Sequence, residues 1–202
     1  MIYLDFAKAF DSVVHKILVI KLSAHGIPGK LLSWFVNYLS SRVQRVVLEG
    51  ASWHWAPVTS GVPQWSLVGP LMFVTFINNI PDGAKGQVNT ALYANESKIF
   101  GAVKCARDCE AVQSTLSNID QWTRCNNIQF NTSKCKVLIV TRKKQPFTYD
   151  YTLNKAQLKD VAEREGPWHH RGTSTLSWLN HVNAIVSKTN KLLGLLKRTC
   201  PR

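Results

Sequence analysis

Tyr3-Leu-Asp-Phe-Ala-Lys-Ala-Phe-Asp-Ser-Val13 is the stretch on which the fold turns. An apolar run over residues 2–6 delivers one carboxylate, Asp5, to its end, and an aromatic, Phe10, follows five residues later. Such a run, bounded by the Asp11-Ser12 turn, predicts a buried strand. The carboxylate by itself assigns no chemistry, because Asp in such a place also serves as a helix cap or a turn residue.

Downstream of Val13 the hydrophobic period switches back and forth. Residues 15–24 carry Ile17, Leu18, Ile20, Lys21 and Leu22 in a helical pattern closed by Gly26. Residues 29–41 repeat Leu31, Leu32, Phe35, Tyr38 and Leu39 at spacings of three and four, which gives a second helix one apolar face. From Arg42 to Glu49 the period falls to two, and Gly50 with Trp53-His54-Trp55 predicts a hairpin with its return strand. Thr59-Ser-Gly-Val-Pro-Gln-Trp-Ser-Leu-Val-Gly-Pro70 is a loop that runs into an apolar helix expected from Leu71 to about Asn78. Two β-rich runs, 88–93 and 97–103, flank the polar tip Ala94-Asn95-Glu96 and predict a hairpin whose tip faces solvent or a ligand. A helix over 108–127, a turn and strand over 131–141, a hairpin over 149–161 and a long basic helix over 178–198 complete the order. Residues 162–177 fit neither period and are expected to be irregular. The arrangement is α+β, a sheet with helices on one face.

Composition narrows the class of function. The chain has 202 residues, enough for one ordinary core, and 25 Lys+Arg against 12 Asp+Glu give a formal charge of +13, which favours polyanionic partners such as nucleic acid. Five Cys and no secretory signal argue for reduced thiols inside the cell. Cys105 and Cys109 share a spacing of four, but no second pair stands at zinc-finger spacing. No apolar run approaches the roughly twenty residues of a membrane helix. A core strand expected from the first residues suggests one part of a larger protein.

Five blocks in order carry a resemblance: Leu4-Asp-Phe-Ala-Lys-Ala-Phe-Asp-Ser-Val13, Lys21-Leu-Ser-Ala-His-Gly-Ile27, Thr59-Ser-Gly-Val-Pro-Gln64, Phe76-Ile-Asn-Asn-Ile-Pro81 and Phe130-Asn-Thr-Ser-Lys-Cys135. Together they resemble the reverse transcriptase (RNA-directed DNA polymerase) domain of non-long-terminal-repeat, LINE-type, jockey-like retrotransposons. The likeness runs from Leu4 to about Val140 and resumes from Leu176 to Arg198. It implies an antiparallel palm sheet over residues 1–161, a missing fingers region, and the start of a thumb in the basic segment 178–202. The implied partners are an RNA template, a DNA primer and deoxynucleotides, with no membrane, an open oligomeric state, and a site of action in the nucleus or cytoplasm.

In that family nucleotidyl transfer uses two divalent cations held by carboxylates, a role that suits Mg²⁺. The resemblance makes Asp5 a catalytic metal ligand, joined by the backbone carbonyl of Phe6. It makes Phe10 the steric gate against a ribose 2′-hydroxyl, Gln64 a wall of the nucleotide pocket, and Lys134 the lysine near the leaving group. Three departures stand against this. Asn95 and Glu96 occupy the place of two adjacent metal-binding aspartates, Trp65 replaces the glycine after Pro-Gln, and Glu163-Arg-Glu-Gly-Pro-Trp-His-His170 replaces the primer-grip turn. The expected product is a reverse transcriptase-like domain impaired in polymerisation, with weakened Mg²⁺ binding. The alternatives are a non-catalytic nucleic-acid-binding remnant and the product of a decayed reading frame.

Overall fold

β1 (Ile2–Asp5) carries three large side chains, Ile2, Tyr3 and Leu4, ahead of its terminal carboxylate and has cover on both faces: all four residues are buried. The computed structural model describes residues 1–161 apart from 28, 85, 142 and 144–146, together with 163, 164, 172, 173 and 186. After β1 come α1 (His15–Ala24), α2 (Gly29–Leu39), the short strands β2 (Val43–Gln44), β3 (Val47–Leu48), β4 (Ala51–Ser52) and β5 (Ala56–Pro57), and α3 (Val68–Ile77). Then follow a 3-10 turn (Ile80–Gly83), β6 (Asn89–Tyr93), β7 (Glu96–Phe100), α4 (Ala106–Cys125), β8 (Lys136–Leu138), β9 (Thr152–Leu153), β10 (Ala156–Gln157) and β11 (Lys159–Val161).

The main sheet has the order β11-β8-β1-β7-β6, with β1 in the middle. Its ladders are antiparallel from β8 to β6, whereas β11 runs parallel to β8 at one edge. The sheet is therefore mixed and not purely antiparallel, because the small β9–β10 hairpin turns the chain before it returns to the sheet. Register sorts the two faces. Ile2 lies opposite Ile99 and Val137, and Leu4 opposite Ser97, and these residues are at most 3 % exposed. Tyr3 lies opposite Lys98 and Lys136, and Asp5 opposite Glu96, so the second face carries the charge. The apolar face joins one core with Leu18, Phe73, Phe76, Leu116 and Ile119 from the helices.

Two helices begin earlier than their sequence pattern predicts, each for a local reason. In α3 the Ser66 hydroxyl accepts from Gly69 N and donates to Pro63 O, both at 2.9 Å, so the first turn forms ahead of Leu71 and tolerates Pro70. In α4 the Asp108 carboxylate accepts from the backbone N–H of Lys104 and Cys105, which makes Asp108 the third helical residue and not the first. The hairpin expected over 42–55 forms in two pieces, β2 with β5 and β3 with β4. Within 162–177, Glu163-Arg164 pairs with Gly172-Thr173. The rest of that segment, and the basic helix expected over 178–198 apart from residue 186, lie outside the described residues.

Candidate active-site cleft

Asp5 ends β1, and its backbone organises what surrounds it. Asn131 N donates to Asp5 O and Ala7 N to Gln129 O, both at 2.8 Å, forming a bridge between Phe6 and Phe130. That pairing leaves the Phe6 carbonyl out of the ladder and hangs the 131–135 turn beside the carboxylate. Lys134 N in turn bonds Asn131 O, which brings Lys134 Nζ to 3.7 Å from Asp5 Oδ2. Most of the Lys134 side chain stays exposed, so the pair adds at most about 1 kcal/mol to stability.

The opposite wall is docked by the loop before α3. Gly61 N donates to Val13 O and Val62 N to Phe10 O, each at 2.8 Å, and Ser60 Oγ donates to Asp11 O at 3.0 Å. His15 Nε2 lies 2.7 Å from Gly61 O. These bonds clamp the loop against residues 10–13 and place Gln64 and Trp65 across from Asp5. Beneath them the Phe10 ring stacks on Phe73 at 4.7 Å, and Phe6 stacks on Phe130 at 4.5 Å and meets Phe73 edge-on at 6.1 Å. The floor is therefore an aromatic layer continuous with the core.

A cleft of about 420 Å³ results, lined by Asp5, Phe6, Lys8, Ala9, Phe10, Gln64, Trp65, Asn95 and Lys134. Every site residue expected from the sequence lines it except Glu96. Glu96 falls inside β7, opposite Asp5 in register, with its Oε2 buried. The hairpin turn is Ala94-Asn95 alone, with Ala94 at φ +49°, so Asn95 takes the tip. Trp65 is fully exposed. It stands at the rim without filling the cleft, and the loop beside it stays docked. Sequence reasoning missed Lys8, a second cation in the cleft, whose backbone sits at φ +48°. Its carbonyl accepts from Asp11 N and Ser12 N at 3.0 Å, closing the turn. A basic residue three positions after Asp5 was the only available signal.

The donors do not fit a pair of divalent cations. Two such ions need several anionic oxygens arranged around neighbouring positions. Among the described residues Asp5 is the one carboxylate that lines the cleft, with Glu96 opposite it in β7 and outside the lining; Asp5 faces the Lys134 ammonium, and Asn95 offers a neutral amide. Among the described residues no three His, Cys, Asp or Glu converge as metal ligands.

The chain belongs to the reverse transcriptase (RNA-dependent DNA polymerase) family, whose model matches residues 1–188. It is 27% identical over 148 residues to the probable RNA-directed DNA polymerase from transposon X-element of Drosophila melanogaster, covering 71% of this chain and 16% of that protein. It is also 27% identical over 140 residues to the RNA-directed DNA polymerase from mobile element jockey of the same fly, covering 66% of this chain and 15% of that protein. The jockey polymerase of Drosophila funebris matches at the same identity and coverage. The chain thus spans about a sixth of the length of these relatives. Among the described residues no helix is long and apolar enough to cross a membrane.

Proposed function

We propose that this chain is a reverse transcriptase-like palm domain, derived from a retrotransposon RNA-directed DNA polymerase, that is impaired in nucleotidyl transfer. Its surface would meet an RNA template, a DNA primer and a deoxynucleotide inside the cell. The observation that carries the reading is the cleft at the end of β1. There Asp5, Phe10, Gln64, Asn95 and Lys134 meet, although they are spread over 130 residues of chain, while among the described residues a single carboxylate lines the wall. Position supports the polymerase ancestry and charge supports the impairment. An amide at Asn95 keeps an oxygen and loses the anion, and a preorganised site tolerates little displacement of the groups that remain. The net charge of +13 supports retained affinity for nucleic acid.

Primer extension on an RNA template, with Mg²⁺ or Mn²⁺ in the buffer, tests this directly. The parent chain is expected to give no product above an Asp5→Ala control, and clear product above that control would overturn the impairment. The combined variant Asn95→Asp, Glu96→Asp, Trp65→Gly is expected to gain extension that a further Asp5→Ala change abolishes. An inert triple variant would place the loss elsewhere than in these three side chains.

A further inference from the structure

The hairpin built from β2 to β5 does something that the cleft does not require. Every residue from 40 to 55 is exposed, among them Val46, Leu48, Trp53 and Trp55. A two-stranded hairpin is marginal on its own in water, and solvent-facing indoles in a row are a feature of binding surfaces. Cations are stacked into the same surface. The Arg45 guanidinium lies 4.7 Å from the Trp55 ring centroid, Arg42 lies 5.2 Å from that of Tyr38, and Tyr38 stacks on Trp34 at 5.3 Å with 17° between the planes. Trp53 and Trp55 keep 68% and 58% of their surface in solvent, so the rings are available despite these contacts.

We propose that this hairpin, with the exposed face of α2 at its root, is a stacking platform for single-stranded nucleic acid, separate from the cleft. The chemistry selects the occupant. Indole faces stack on any unpaired base, and guanidinium groups beside them neutralise the phosphates that follow. Over residues 29–58 the charged side chains are Lys30, Arg42 and Arg45 against Glu49, so the surface is cationic as well as aromatic. A purely apolar protein contact would have no use for arginines already laid on the rings. A duplex keeps its bases stacked on each other and offers the indoles no faces. The platform rests on the hairpin and α2 and stands whether or not the cleft turns over.

The test uses the full chain and a fluorescent 15-residue oligo-dT, read by anisotropy, beside a duplex of equal length. The parent is expected to prefer the single strand. Trp53→Ala with Trp55→Ala should weaken single-strand binding by roughly tenfold for each ring, and Phe at both positions should restore most of it. Arg42→Gln with Arg45→Gln should flatten the dependence of log affinity on log salt by roughly 0.7 for each arginine. Because both indoles are exposed, a melting temperature unchanged in the alanine variant separates lost stacking from lost fold. Oligo-dT binding within twofold of the parent in the alanine variant overturns the platform, as does equal preference for the duplex. If the indole changes abolish self-association in sedimentation and leave oligo-dT binding intact, the surface belongs to a second copy and the proposal fails.

Discussion

Gly61→Ala should unfasten the wall of the cleft, and the size of the effect can be worked from the contacts. At Gly61 φ is +92°, and an added β-carbon would stand 2.9 Å from Asp11 Cα, 3.0 Å from Asp11 O and 3.1 Å from Phe10 O. The left-handed backbone alone costs an L side chain about 1–2 kcal/mol. The three contacts are with backbone, which cannot rotate away, so the loop must lift from residues 10–13. Lifting loosens the bonds from Gly61 N to Val13 O and from Val62 N to Phe10 O, each worth about 0.5–1.5 kcal/mol. Together the terms predict a loss of about 2–5 kcal/mol. Gly26→Ala calibrates the first term, because φ there is +80° and nothing lies within 4 Å of an added β-carbon. Urea unfolding of both variants, followed by tryptophan fluorescence and far-ultraviolet dichroism, measures the difference. If the two variants lose the same stability to within about 0.5 kcal/mol, the loop does not press on residues 10–13 and the account of the cleft wall is wrong.

Three further outcomes follow from one core ring and two titratable groups. Phe73→Ala removes the ring beneath both Phe6 and Phe10 and should cost about 3–5 kcal/mol, read as a lower urea midpoint. Lys21 donates to Phe76 O and Asn79 Oδ1 and lies 4.5 Å and 4.6 Å from the Phe76 and Trp122 ring centroids, while burial pushes its ammonium from 10.5 down to about 8. The unfolded chain then holds a proton that the folded chain has released, so stability rises with pH between those two values. Solvent still reaches the group and makes the rise a fraction of full linkage; Lys21→Met should abolish it in melts from pH 7.5 to 10. At Asp160, which keeps much of its surface in solvent, partial desolvation raises the carboxyl above its ordinary range, the Asp150 charge adds to it and the N-terminal ammonium offsets part of it. A raised acid is a penalty at neutral pH that disappears as pH falls below the ordinary carboxyl range, so Asp160→Asn should melt higher than the parent at pH 7 and lose that advantage near pH 3.

Local pattern revealed elements well wherever a single period decided them. Residues 15–24 form the expected helix, and the β6–β7 hairpin stands where two β-rich runs flank a polar tip. The pattern failed where a distant contact sets the boundary. An added β-carbon at Gly69 would sit 1.8 Å from Pro63 O, so the start of α3 is fixed by how closely the loop folds back, which no hydrophobic period encodes. Apolar content could not distinguish the buried β1 from the exposed strands at 43–57, since both are rich in β-formers. At the cleft, the gathering of Asp5, Gln64, Asn95 and Lys134 was legible only through the order of motifs, because spacing along the chain says nothing about proximity across it. Glu96 went astray because run lengths do not separate a two-residue turn from a three-residue tip: it opens β7 opposite Asp5, on the same face of the sheet, and does not stand at the tip. Lys8 was missed because lysine gives no warning of a positive φ.

The residues that build the cleft and those on which chemistry would depend are largely different sets. β1 is fixed by Ile2 and Leu4 in the core and by backbone bonds from the 129–131 segment, while the loop is fixed by glycines, carbonyls and the phenylalanine layer. None of these uses the side chains of Asn95, half-buried at the turn, or of Trp65, exposed at the rim. Asn95→Asp or Trp65→Gly should therefore change charge or bulk at the cleft with little loosening of the frame, since changes away from caps and core packing usually move stability by less than about 0.5 kcal/mol. Asp5 differs, because its backbone carries the bridge while its carboxylate faces Lys134. Replacing that side chain tests chemistry with little cost to the strand, and this makes Asp5→Ala the proper reference for any activity gained by repairing Asn95.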